Sequence, residues 1–338
     1  MSRSLDKEVL ENLRSEDPAK VYRDIAEVLT TLPRNGGLLD IEFLGKAHPL
    51  EPGVNYLQDE EAIAIPKLRL TQAFFVAHQA IQKHLVCQPK APSSDLVAAT
   101  AVALLMDPEH LTAANIRKRY ILSASHGDEP LETLLRHEKQ FLDSLLTARL
   151  HRHTKSPNLW SHRRWLMERF KALHLPFELR QDFTSVIMLS AERHPRNYYA
   201  WHHARWLMCN ADPQPTTSVL LEITDDVKDW CFKHHNDISG WTYLDFITLR
   251  IEDHEARSHK WSSIIAETFS MTESFRWANE SVWVFLRTLV ARGDVDPELS
   301  QSLLDLTEKL SPAIVEETAK KPLDAAIRWI SQYHQIMH

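Results

Sequence analysis

An all-α fold, a right-handed α-α superhelix (solenoid) of stacked helical hairpins, is predicted by three observations. A tryptophan-centred motif recurs along the chain at a nearly constant spacing. Each strong copy opens on a residue that caps helix N-termini. Glycine is scarce, with 7 among 338 residues, which disfavours a fold rich in tight turns and excludes glycine-rich phosphate loops.

The motif is densest in HPRNYYAWHHARW, residues 194–206. Relatives are KSPNLWSHRRW (155–165), NDISGWTYLDF (236–246) and NESVWVFLR (279–287), with a fainter copy, DPEHLTAANIRKR, at 107–119. The anchors are Trp160, Trp201, Trp241 and Trp283, and Ala114 fills the slot in the faint copy. By subtraction the spacings are 46, 41, 40 and 42 residues. A period in this range marks a helical repeat array; a tetratricopeptide array has a shorter one, about 34.

The elements follow in chain order. Residues 1–65 mix turn formers with apolar residues and read as an irregular segment with a short helix. The repeat domain is expected over 66–338, beginning with a helix from about Lys67 to Val86. Four residues before each anchor Trp stand Ser156, Asn197, Asp237 and Asn279. All four accept well from the free N–H groups of a helix start. Pro157 fits the first helical position, and His110 is a weaker cap. A second helix precedes each capped one: Phe183, Val186, Ile187 and Ser190 recur at helical spacing, as do Leu220, Ile223, Val227 and Trp230, and Trp261, Ile264, Ile265 and Thr268. NADPQP (210–215) and LHLPFE (173–178) supply turns. A closing helix pair is expected over 297–338.

Composition bounds the function. Hydrophobic residues make up 43% and charged residues 25%, ordinary for a soluble globular protein. A net charge of −7 gives no support to nucleic-acid binding. The longest apolar run, residues 96–106, is too short to span a bilayer. The N-terminus has no apolar signal core, and Cys87, Cys209 and Cys231 are far apart. A cytoplasmic protein with free thiols is expected. The paired histidines (His151 with His153, His202 with His203, His234 with His235) diverge on a helix and lack a cysteine to complete a zinc set, so no metal site is assigned.

NYYAWHHARW, NLWSHRRW and NESVW, in this order along one chain, resemble the repeats of the protein prenyltransferase α-subunit family, whose core reads Asn-Tyr-x-x-Trp-x-His-Arg. The match runs from about Leu96 to Val290. The degenerate first repeat and the divergent N-terminal segment are most similar to the branch of α-subunit repeat-containing proteins, the α subunit of type III protein geranylgeranyltransferase. The resemblance implies an enzyme subunit that is inactive alone. It would pair with a β subunit, the one shared with Rab geranylgeranyltransferase, which carries the catalytic zinc; this chain holds no cofactor. Together they would transfer geranylgeranyl from its diphosphate to a cysteine of a farnesylated SNARE protein.

The resemblance places the family's reactive lysine at Lys155, where an ammonium would stabilise the leaving diphosphate; the bland alternative is a solvent-facing lysine. It places the diphosphate-contacting triplet at Asn197, Tyr198 and Tyr199, with Tyr199 where the family has His. Asn197 reads equally as a plain cap. Pro157 departs from the family's Tyr. Arg163 and Arg205, with the anchor tryptophans, read as structural repeat positions, and Arg205 and Arg287 are expected to pair with carboxylates between repeats. Two alternatives stay open: the α subunit of farnesyltransferase or type I geranylgeranyltransferase, and a non-catalytic repeat scaffold for prenylated proteins. The choice of β subunit, the acceptor and the prenyl length are not legible.

Overall fold

A computed structural model describes residues 17–31, 33, 36–45, 50–51, 53–87, 92–123, 130–291, 298–314 and 317–336. The N-terminal sixteen residues lie outside them, as do residues 292–297 ahead of the closing helices. The chain divides into two compact units. One comprises Met1–Phe177 with Leu189–His203, the other Glu178–Met188 with Ala204–His338.

The protein is mostly helical with one small sheet. In the first unit Asp17 caps α1 (Pro18–Thr30) by accepting from the Ala19 N–H. Strands β1 (Asp40–Leu44), β2 (Leu57–Asp59) and β3 (Ala62–Pro66) follow. The sheet order is β1-β3-β2, with β1 parallel and β2 antiparallel to β3. Then come α2 (Lys67–Cys87), α3 (Ser94–Met106), α4 (Leu111–Ser123), α5 (Leu131–Leu146), the single turn α6 (His151–Thr154) and α7 (Pro157–Ala172).

The sheet corrects the all-α expectation, and its cause is visible in the sequence. Ile41 and Phe43 alternate with Asp40 and Glu42, and Ile63 and Ile65 alternate with alanines. That is the period of a half-buried strand. Ile41, Ile63 and Ile65 are buried, and the Leu39 N–H donates to Ser144 Oγ at 3.0 Å, tying the approach to β1 to α5. Helix α2 runs one residue beyond its expected end.

The second unit opens with α8 (Leu179–Asp182) and a π-helical turn, Phe183–Met188, in which Phe183, Val186 and Ile187 are buried. In the first unit α9 is Leu189–Arg193; α10 runs Tyr198–Asn210, with Tyr198–His203 in the first unit and Ala204–Asn210 in the second. Beyond lie α11 (Thr217–Lys233), α12 (Ile238–Leu249), α13 (His254–Phe275), α14 (Glu280–Ala291), α15 (Glu298–Leu310) and α16 (Glu317–Ile336).

Three of the four expected caps form. Ser156 accepts from the Leu159 N–H, Asn197 from Ala200 and Asp237 from Ser239. His110 caps as well, its Nδ1 accepting from the Ala113 N–H at 3.1 Å. Trp160, Trp201, Trp241 and Trp283 are all buried. Three of their indoles donate to the carbonyl six residues back: Trp160 to Thr154 at 2.9 Å, Trp241 to His235 at 3.0 Å and Trp283 to Trp277 at 2.9 Å.

The next copy reuses those carbonyls. Asn197 Nδ2 donates to the Thr154 carbonyl at 2.8 Å, and Asn279 Nδ2 donates to the His235 carbonyl at 2.6 Å. One oxygen thus serves an indole of its own copy and an amide of the following one. The motif's Asn and Trp are a matched pair of donors for carbonyls that helix geometry would leave without partners.

Gly240 sits on α12 where α11 crosses. A Cβ there would lie 2.4 Å from Trp230 Cζ3 and 3.2 Å from Cys231 Sγ. In an open helix Gly→Ala stabilises by about 1 kcal/mol. Here the ring is fixed in the core, so Gly240→Ala is expected to destabilise by about 1–3 kcal/mol. A urea midpoint at or above that of the parent protein would contradict this.

Candidate functional site

The residues singled out from the sequence converge on one edge of the first unit. The Asn197 bond to the Thr154 carbonyl fixes the start of α10 beside the turn that leads into α7. Ser190 Oγ donates to the same carbonyl at 3.2 Å. Lys155 follows Thr154, and Tyr198 follows Asn197, so both belong to this joint. Arg196, one residue before the cap, adopts φ 56°, a left-handed conformation that costs a non-glycine residue about 1–2 kcal/mol. The bend brings the Asn197 amide under the Thr154 carbonyl.

The placements differ in kind. Lys155 is exposed, and its ammonium has no hydrogen-bond or ion-pair partner among the described residues. Tyr198 is 61% exposed, stacks on His202 with ring centroids 5.7 Å apart, and meets Tyr199 edge-on. Tyr199 is half-buried. Asn197 is fully buried: it caps α10 and donates to Thr154 and Ser190. Its side chain is spent on the joint. Arg152 pairs with Asp107 at 2.8 Å, and the rings of His151 and His194 lie 5.4 Å apart.

A buried polar network in the first unit joins α4, α5, α7 and the first half of α10. Arg117 grips Glu138 with Nε and Nη2, at 2.9 and 2.7 Å, and its Nη1 donates to the Val97 carbonyl at 3.0 Å. Arg163 Nε donates to Asp143 at 2.7 Å, and its Nη1 donates to His203 Nε2 at 2.7 Å. Lys139 reaches Asp143 from the rim at 2.6 Å. His162 Nε2 lies 3.4 Å from Glu138. Burial works against the Glu138 charge, but Arg117 and His162 outweigh it and hold the carboxyl below its usual range. His162 is pushed down to about 3, by burial first, against the pull of Glu138. Burial likewise lowers His153 to about 4, although its Nε2 faces the Leu104 and Leu105 carbonyls.

Sequence reasoning found Arg117 and Arg163 as motif positions and missed their acid partners, Glu138 and Asp143. The available signal was on α5: Glu138 falls between Leu134, Leu135 and Phe141, Leu142 on the apolar stripe. A carboxylate there needs a buried cation. Arg205 lies over the rings of Tyr243 and Phe246, at 5.5 and 5.6 Å, and Arg287 over Trp329 at 4.8 Å. Both arginines thus rest on aromatic rings in addition to any other partners.

Among the described residues, no group of three or more His, Cys, Asp or Glu side chains is arranged to hold a metal ion. No described helix is long and apolar enough to cross a membrane.

The fold and its buried joints define a mostly helical protein built on a recurring tryptophan motif. Comparison with known proteins gives a more specific likeness: residues 159–269 match the family of the ECM9 middle domain. That span is about a third of the chain and runs from α7 to α13. It corrects the resemblance drawn from the motif, since the matching family is the ECM9 middle domain and not the prenyltransferase α-subunit family. The motif misled because its capping Asn and anchor Trp answer a requirement of packing, which carries no lineage. No curated protein matches the chain.

Proposed function

We propose that the chain is an interaction scaffold, a superhelix of helical hairpins that works by presenting exposed helix faces to a partner protein. The shared carbonyl carries this reading. Thr154 and His235 each bind an indole of one copy and an amide of the next, a link that supports stacking of neighbouring hairpins. The recurring chemistry of the motif is thereby consumed inside the protein, and recognition falls to side chains outside it. The purified chain, given geranylgeranyl diphosphate, zinc and a peptide ending in cysteine, is expected to form no thioether. Turnover by the chain alone would overturn the reading.

A second reading keeps prenyl transfer, performed together with a zinc-bearing partner subunit. The free ammonium of Lys155, on the edge that also exposes Tyr198, favours it. Mixed with the Rab-type β subunit, the chain would then geranylgeranylate a farnesylated SNARE. Lys155→Ala would lower kcat by about 10²–10³ with assembly intact, the scale of losing one charge-stabilising donor. Failure to pair or to transfer would leave the scaffold alone.

A further inference from the structure

Helices α4 and α7 pack on one another in the first unit, and their charges are lopsided. Helix α4 carries Arg117, Lys118 and Arg119 and no acid; α7 carries Arg163, Arg164, Arg169 and Lys171 against Glu168 alone. Arg117 and Arg163 are neutralised inside, by Glu138 and Asp143. On these two helices the other five cations have Glu168 as the sole acidic neighbour in sequence, paired loosely with Arg164 at 3.6 Å, and Glu138 beneath also attracts Lys118. This concentration stands out in a chain whose net charge is −7.

The cations gather around a half-buried indole. Lys118 Nζ lies 5.6 Å and Arg169 Cζ 5.9 Å from the Trp165 ring centroid. The Arg169 Nε is buried with no acceptor, and Arg119 is exposed with no ion-pair partner among the described residues. Holding an unpaired guanidinium N–H out of water is unfavourable, and an incoming carboxylate would relieve it. On the same helix, Leu122 is 54% exposed and Leu111 64% exposed. They offer apolar contact beside the charges.

We propose that the α4–α7 face docks an acidic segment of a partner protein, with carboxylates on Lys118, Arg119 and Arg169 and a large apolar side chain on Leu122. Charge complementarity selects the occupant. A long polyanion such as nucleic acid, or an anionic membrane, meets the field of the whole negative chain, whereas a short segment meets only the local cations within a Debye length of about 8 Å. The exposed leucines have no use for a phosphate backbone. The proposal deepens the scaffold reading, yet the two fail separately: turnover by the isolated chain removes that reading and leaves the docking measurement unchanged.

The test is a fluorescence-anisotropy titration of the full chain against a fluorescein-labelled peptide of repeated Glu-Glu-Leu. Saturable binding is expected, weakening as salt rises. Lys118→Gln with Arg119→Glu should lower affinity about tenfold, the scale of losing two charge contacts of a few-fold each. Leu122→Glu, at an exposed site that cannot disturb the core, should weaken binding several-fold by itself and decides the matter should the double variant misfold. Equal affinity in all variants, or no saturation, overturns the proposal. So does tighter binding of single-stranded DNA or phosphatidylserine vesicles that is lost in the same variants.

Discussion

Glu138→Ala should lower the unfolding free energy by about 3–5 kcal/mol, the cost of stripping one partner from a buried ion pair. Glu138 is 4% exposed and Arg117 5%. Without the carboxylate, Arg117 keeps the Val97 carbonyl and Thr100 as acceptors but loses its counter-charge. The guanidinium also lies 4.1 Å from the Phe141 ring centroid, a contact that cannot replace an anion. Replacing both partners, Arg117→Met with Glu138→Leu, should recover most of the loss, because the desolvated charge then disappears. Urea unfolding of the two single variants and the double decides the point. A double variant no better than Glu138→Ala would mean the loss comes from cavity formation and not from charge.

Acidification gives the second large effect. The His153 and His162 side chains are 3% and 0% exposed, and their native values lie near 4 and 3, against 6.5 for the free side chain. Below about 6.5 the unfolded chain takes up protons that the native chain refuses, so stability falls as pH drops. The loss begins near pH 6.5, ends for His153 near 4 and for His162 near 3. At pH 5 each histidine should have cost about 2 kcal/mol, at 1.36 kcal/mol per unit, or about 4 together. Glu138, held below its usual range, keeps its contribution down to about pH 4.5, the ordinary value, and loses it as pH falls further. Urea midpoints between pH 7.5 and 5 measure the slope. His153→Gln with His162→Gln should flatten it; a slope unchanged by both substitutions would exclude these residues as its source.

The helical part of the fold was legible because its signals are local. A cap, a Trp four residues later and an apolar period lie within a dozen residues of each other, and each reports on backbone geometry. The three strands were missed for the opposite reason. LDIEFL and AIAIP are short, their partners are about twenty residues apart in register, from Asp40 to Ala62, and turn residues surround them. The acid partners of Arg117 and Arg163 were hidden by distance too: Glu138 and Asp143 lie 21 and 20 residues away. The candidate edge was half legible. Exposure of Lys155 and Tyr198 fits a surface role, while Asn197, equally prominent in sequence, is committed to the joint. The same three letters, Asn-Tyr-Tyr, mix architecture with surface, and no spacing rule separates them. Lineage was the least legible of all, since a motif dictated by hydrogen-bond satisfaction recurs wherever hairpins meet in this way.

The doubly used carbonyls of Thr154 and His235 have a consequence for how the protein comes apart. Each oxygen accepts from groups of two different copies, and the Thr154 oxygen also takes the Ser190 hydroxyl. Twisting that peptide plane releases at least two bonds at once, one in each copy. In a quasi-one-dimensional array the energy between neighbours sets how far a local break travels. At the Thr154 and His235 joints, opening the start of one helix therefore also breaks a bond made by the neighbouring copy. Amide hydrogen exchange is therefore expected to speed up together in the two copies that share each of these carbonyls, and not in one copy alone.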